Sequence, residues 1–195
     1  MAIVATPSGA EPIGTLSANG SFTGKRRAIK IASGATPAIF YGDFVKLTTG
    51  GTVILDAGTA ALTTCGIFMG CFYTDPNTKQ PTYSQYWPTG LVASDAIAYV
   101  VDDPNILFRM QANATIAQSG LGANAAVIQT AGSTAFGRSK NAVNATVATT
   151  NTYPLRIIDF VDGPFSTVGD TYTDVICSFN RAAGTHQYLA PLGII

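Results

Sequence analysis

The stretch from Ile97 to Gln111 constrains this chain more than any other. Two apolar runs flank one tight turn, Asp102-Asp103-Pro104-Asn105. Side chains alternate across an extended strand, so Ile97, Tyr99 and Val101 share one face. Ile106, Phe108 and Met110 do the same on the return run, opposite Leu107, Arg109 and Gln111. Pro104 presets φ for the first central turn position, Asn105 suits the second, and Asp103 can bond its own turn backbone. Asp103 also precedes a proline, which pushes it to extended geometry and ends the first run. The pattern predicts a β-hairpin over 97–111. Turn chemistry accounts for both aspartates, so no metal or acid/base pair is assigned to them.

The rest of the chain repeats this texture. Ala28–Ile31, Ala38–Tyr41, Phe44–Leu47 and Val53–Leu55 are short apolar runs set off by glycine-rich turns. Cys65–Tyr73 is a longer run, in which Gly66 and Gly70 point to a bulge or a close backbone approach. Thr74-Asp75-Pro76-Asn77 repeats the Asp-Pro-Asn turn and leads into an aromatic loop with Tyr83, Tyr86 and Trp87 between Pro81 and Pro88. Such a loop is either a flap on the protein's own core or an anchor for another subunit. Residues 112–150 form a low-complexity, loop-rich segment with one or two weak strands. Regular pattern returns at Pro154–Val161 and Asp174–Asn180, and a C-terminal tail with Tyr188, Leu189, Leu192, Ile194 and Ile195 is expected to be tied down.

Eight to ten short strands with almost no helical periodicity predict an all-β, single-domain β-sandwich or small β-barrel over 25–195. Residues 1–24 lack periodicity and carry Pro7 and Pro12. They read as an extended N-terminal arm, ordered only by partners, with Ile3, Val4, Ile13, Leu16 and Phe22 as anchors.

Composition narrows the function. Charged residues make up 11% of the chain, against about 25% in an ordinary soluble domain. Lys+Arg and Asp+Glu are equal at 11 each, so no basic excess points to nucleic acid. The local basic cluster is Lys25-Arg26-Arg27 with Lys30. No run approaches the roughly 20 apolar residues of a membrane span, and the start of the sequence lacks a signal-peptide pattern. Cys65, Cys71 and Cys177 are expected as buried thiols in a reducing compartment, since Cys65 and Cys71 would lie roughly 20 Å apart along a strand.

Catalytic patterns are missing. Gly120–Ala125 matches G-x-G-x-x-A, but no acidic residue follows at the required distance, so the dinucleotide reading fails. His186 is the one histidine, and Cys177, a conceivable nucleophile for it, sits in an apolar strand run. The expectation is a protein without enzymatic activity, cofactor, metal or small-molecule ligand. Asn19, Asn113 and Asn144 open glycosylation triplets, which read as chance matches.

Several segments together resemble small structural proteins of tailed bacteriophages, many of them marine or cyanobacterial. These are Phe22–Gly34, Ile39–Leu47, Gly66–Pro76, Tyr86-Trp87-Pro88, Ala98–Asn105 and Pro154–Phe160. The resemblance implies a capsid decoration, or cement, protein on the virion surface, assembled in the host cytoplasm. Its partner would be the major capsid protein, and its own state a homo-oligomer, with a trimer favoured. Phe22, Tyr83, Tyr86 and Trp87 are the expected interface residues. A head–tail connector, a fibre subunit or a carbohydrate-binding module are the alternatives.

Overall fold

The short apolar runs all become strands, because β-branched and aromatic residues alternate over stretches too brief and too rich in glycine for helix. The computed structural model describes residues 4–17 and 20–189. The first strands are β1 (Glu11–Thr15), β2 (Arg27–Lys30), β3 (Ile39–Phe40), β4 (Phe44–Leu47) and β5 (Val53–Leu55). Next come β6 (Gly66–Thr74), β7 (Pro81–Ser84), β8 (Tyr86–Trp87), β9 (Ile97–Val101) and β10 (Ile106–Gln111). The last are β11 (Asn124–Ala125), β12 (Val127–Ile128), β13 (Ala142–Val143), β14 (Leu155–Phe160) and β15 (Asp174–Phe179). Among the described residues the helical content is limited to short 3-10 turns at Gln118–Gly120, Arg181–Ala183 and Gln187–Leu189. Ile3, Leu192, Ile194, Ile195 and the Asn19 triplet lie outside the described residues or depend on them.

Two antiparallel sheets make a sandwich, and neither closes into a barrel. One has the order β1-β10-β15-β14-β11 and the other β2-β9-β6-β4-β5, with β7 added on β6. Between them lie Phe44, Ile67 and Val101 from the second sheet and Ile106, Phe108, Met110, Ile157, Val175 and Phe179 from the first. Phe44 meets Phe108 and Phe179 edge-on, at 5.7 and 5.8 Å between ring centres. A second core lies on the other face of β6 and β9, where Val45, Phe68, Cys71, Ala98 and Val100 pack with Ile39, Tyr73 and Trp87. The small β3–β8 pair covers it. Strand β6 is therefore buried on both faces over most of its length, and its sequence reads as a near-continuous apolar run rather than alternation.

Strand pairing overturns the expected hairpin at 97–111. Strand β9 pairs with β2 and β6, while β10 pairs with β1 and β15 in the other sheet. Both edges of β9 are already occupied, so the turn carries the chain from one sheet to the next. The face assignment changes too. Ala98, Val100 and Val101 are buried, whereas Ile97 and Tyr99 are half-exposed. On β10 the expected Ile106, Phe108 and Met110 do face the core. The turn chemistry itself is as expected. Asn105 N–H donates to Asp103 Oδ1 at 2.8 Å, and Ile106 N–H to the Asp103 carbonyl at 3.1 Å. Asp102 forms an ion pair with Arg27 at 2.8 Å. Pro104→Ala leaves these bonds in place, so it is expected to cost only about 0.4–1 kcal/mol, mainly through the unfolded chain. Thermal denaturation checks this.

The second Asp-Pro-Asn turn does make a hairpin. Asn77 and Thr78 N–H groups donate to Asp75 Oδ1 at 2.7 and 3.1 Å, and β6 pairs with β7 from Thr74↔Pro81 to Cys71↔Ser84. Gly66 and Gly70 act as expected from sequence. A Cβ at Gly66 would run into the Val101 carbonyl, and Gly70 sits at φ +114° in a bulge.

The arm boundary at residue 24 also changes. Glu11–Thr15 forms the outer strand of the first sheet, pairing Glu11↔Arg109 through Thr15↔Ile106. Arg109 binds Glu11 Oε2 at 2.7 Å, Ala10 is fully buried, and Ala10 N–H donates to the Gly42 carbonyl at 2.9 Å. This stretch belongs to the sandwich, because β10 leaves an edge that an extended segment satisfies. Val4, Ile13 and Leu16 remain exposed. The segment 112–150 is loop-rich as expected, with three two-residue strands.

Candidate interaction surface

The aromatic segment splits inward and outward. Trp87, expected at an interface, is fully buried in the second core. Its Nε1–H donates to the Ala35 carbonyl at 3.1 Å, and its ring meets Tyr73 edge-on at 5.7 Å. Both its area and its polar tip are used inside the molecule, so it cannot anchor a partner. Tyr86 is half-buried and stacks on Phe40 at 5.5 Å. Tyr83 points out, 75% exposed, and rests on Phe72 across the β6–β7 pair at 4.8 Å. Phe22 is half-buried against the first core, beside Val101 and Ile106. The four expected interface residues are not gathered, and of them Tyr83 alone is largely exposed.

Tyr83 stands at a groove of about 600 Å³ between β6, β7 and β9. The bulge creates it. Phe68 pairs with Val100 and Cys71 with Ala98, so Met69 and Gly70 together oppose Tyr99. An extra residue bends a strand and re-aims its side chains. Tyr41, Met69, Tyr83 and Tyr99 line the groove with Arg26, Ser84 and Gln85. None of the lining residues is Asp or Glu.

Two arginines lie over these rings. The Arg26 guanidinium is 6.0 Å from the centre of Tyr99, and that of Arg138 is 5.3 Å from Tyr41. The 133–138 turn is fixed against Tyr41, whose N–H donates to the Gly137 carbonyl at 3.0 Å. Phe136 in that turn is 76% exposed. Sequence reasoning missed Tyr41, Tyr99, Arg138 and Phe136 for this surface. The alternation placed Tyr99 only on a shared strand face with Ile97 and Val101, and the others lie outside any recognisable motif. The signal that could have found them was Gly70, since a strand glycine predicts the bulge.

Buried titratable groups include Asp43, His186 and the three cysteines. Asp43 is buried, its Oδ2 accepting from Phe40 N–H at 2.8 Å and its Oδ1 from the Asn141 amide at 3.1 Å. Burial pushes its pKa up to about 6. His186 is buried between the rings of Phe179 and Tyr188, at 5.4 and 5.1 Å, and its Nε2 has no hydrogen-bond partner among the described residues. Burial lowers its pKa to about 4. Burial raises each of the three cysteine thiols to about 12. Cys177 sits in the middle of the first sheet opposite Phe108 and Ile157. Among the described residues no three His, Cys, Asp or Glu side chains gather as a metal site, and no helix is long and apolar enough to cross a membrane.

Compared with known proteins, the chain matches no family model, no curated protein and no solved structure.

Proposed function

We propose that this protein is a virion structural component, a capsid decoration protein that binds major capsid protein subunits from outside and works as a homo-oligomer, with a trimer as the favoured unit. It acts by contact and carries out no reaction. One observation carries the reading beyond sequence resemblance. Tyr83, Phe136 and Phe165 are 75%, 76% and 85% exposed, and each stands on an ordered turn or strand. Large rings held out on rigid supports lose little entropy on docking and supply most of a contact's energy.

The test is cryo-EM of the particle that carries this chain. The expected result is density outside the shell, in hundreds of copies, at symmetry-related positions. A single ring at the portal vertex would favour the connector reading instead. Tyr83→Ala is expected to change folding stability by no more than about 0.5 kcal/mol and to lower shell occupancy clearly. Occupancy equal to wild type would count against Tyr83 as a contact. The same groove offers a glycan the open ring of Tyr83, which keeps the carbohydrate-binding module as the second reading. The arginines over Tyr41 and Tyr99 occupy ring faces a sugar would need, and this favours a protein partner. Binding on a glycan array would reverse that preference.

A further inference from the structure

The loop between β14 and β15 ends in a ring with nothing to pack on. Phe165 is 85% exposed, the highest value among the exposed large hydrophobic residues. Yet the loop is stapled. Gly163 N–H donates to the Ser166 carbonyl at 2.8 Å, Ser166 is buried, and its Oγ accepts from Asp174 N–H at 3.1 Å. Thr167 N–H donates to Asp170 Oδ2 at 3.0 Å. Pro164 fixes φ just before the ring. Exposed Asp162 stands beside it, and no Lys or Arg occurs between Val161 and Thr173.

The groove at Tyr83 has the complementary character. Its walls are tyrosine rings and Met69, and its charge is Arg26, with Arg138 adjoining. Among the described residues neither arginine forms an ion pair. Stacking uses a guanidinium face and leaves the edge donors for a carboxylate. A groove of about 600 Å³ takes a phenylalanine side chain with its flanking turn. The loop does not fill its own groove, since Phe165 and Tyr83 are both exposed in the same chain.

We infer that the Phe165 loop of one copy docks into the Tyr83 groove of the next, with Phe165 among the tyrosines and Asp162 on Arg26. Loop and groove are different surfaces, so the contact is head-to-tail and propagates until the rotation closes a ring. This rests on the homo-oligomer part of the proposed function and names its two surfaces.

Sedimentation velocity of the full chain over a concentration series tests it. Wild type is expected to form oligomers larger than a dimer. Phe165→Ala and Arg26→Glu, both at exposed positions, are each expected to keep the wild-type circular dichroism and raise the dissociation constant about tenfold or more. The decisive sample is their equal mixture. Phe165→Ala keeps a working groove and Arg26→Glu a working loop, so the mixture should form dimers and nothing larger. Wild-type oligomers that survive both substitutions, or a mixture that stays monomeric, would overturn the loop–groove contact and leave self-association standing. A monomeric wild type at all concentrations would remove both. Shell occupancy is read separately, so a failed docking reading does not decide the capsid reading.

Discussion

Trp87→Ala is expected to destabilise the domain by about 3–5 kcal/mol, the range for truncating a buried aromatic residue. The Trp87 side chain is fully buried, and its neighbours Ile39, Tyr73 and Val45 belong to strands that cannot all collapse inward. The Ala35 carbonyl also loses its indole donor but keeps the Gly90 N–H at 3.0 Å, so the cost is chiefly that of the cavity. A domain of this size is stable by about 5–15 kcal/mol, so a large part of the total is at stake. Urea denaturation of the variant should show a much lower midpoint with an unchanged slope. A wild-type midpoint would mean that the ring does not carry the second core. Tyr83→Ala, a few residues earlier, serves as the control. The two substitutions separate folding from attachment, which a loss of decoration by Trp87→Ala alone would not.

The pH dependence of stability is expected to conceal two large opposing effects. Asp43 titrates at about 6 in the fold, raised chiefly by burial, against an ordinary 3.8. Between those values the folded state holds the extra proton, so this group stabilises the fold as pH falls from about 6 to 3.8. His186 titrates at about 4, lowered chiefly by burial against the pull of Asp102 and Asp103, where 6.5 is ordinary. Here the unfolded state holds the extra proton, so stability is lost as pH falls from 6.5 to about 4. Each shift corresponds to roughly 3 kcal/mol. The two contributions oppose each other between about pH 6 and 4. His186→Leu removes one slope, and the variant should gain stability on acidification from pH 6.5 to 4. Asp43→Asn removes the other, and that variant should lose stability over the same range. Denaturant midpoints at a series of pH values measure both. Parallel profiles in the two variants would show that neither group is buried as described.

The fold class was legible because it depends on local pattern. Phe44–Leu47, Val53–Leu55 and Asp174–Phe179 are strands where their apolar runs place them, and the two glycines of β6 mark a close approach and a bulge. Pairing was not legible, because local chemistry does not choose a partner. Both Asp-Pro-Asn turns have an Asn N–H donating to the Asp Oδ1, yet one joins paired strands and the other joins two sheets. The difference is made by β2 and β6, which occupy the edges of β9. Trp87 illustrates the same limit. Prolines on both sides and neighbouring tyrosines look alike on a flap and on an anchor, and only the space under β3 and β8 decides. Glu11–Thr15 carries no strand pattern of its own and is recruited by the open edge of β10. The groove combines β6, β7, β9 and a loop near Arg138, residues far apart in the chain, so no spacing rule could have predicted it.

The crossing from β9 to β10 bears on how the chain acquires its fold. Strand β10 finds one neighbour in β1, where the Arg109 side chain meets Glu11 across 98 positions, and the other in β15. Among the described residues only β14 and β15 of the first sheet are consecutive strands that pair, and β10 must close long loops to both its neighbours. Closing such long loops is entropically unfavourable before any contact rewards it, and topologies of this kind fold on the order of milliseconds to seconds. On a ribosome, the edges of β10 and β14 wait for β15, which is synthesised after both. During that wait two apolar strands present unpaired backbone to other chains. Addition of β15 closes both edges at once, because it pairs with β10 on one side and β14 on the other.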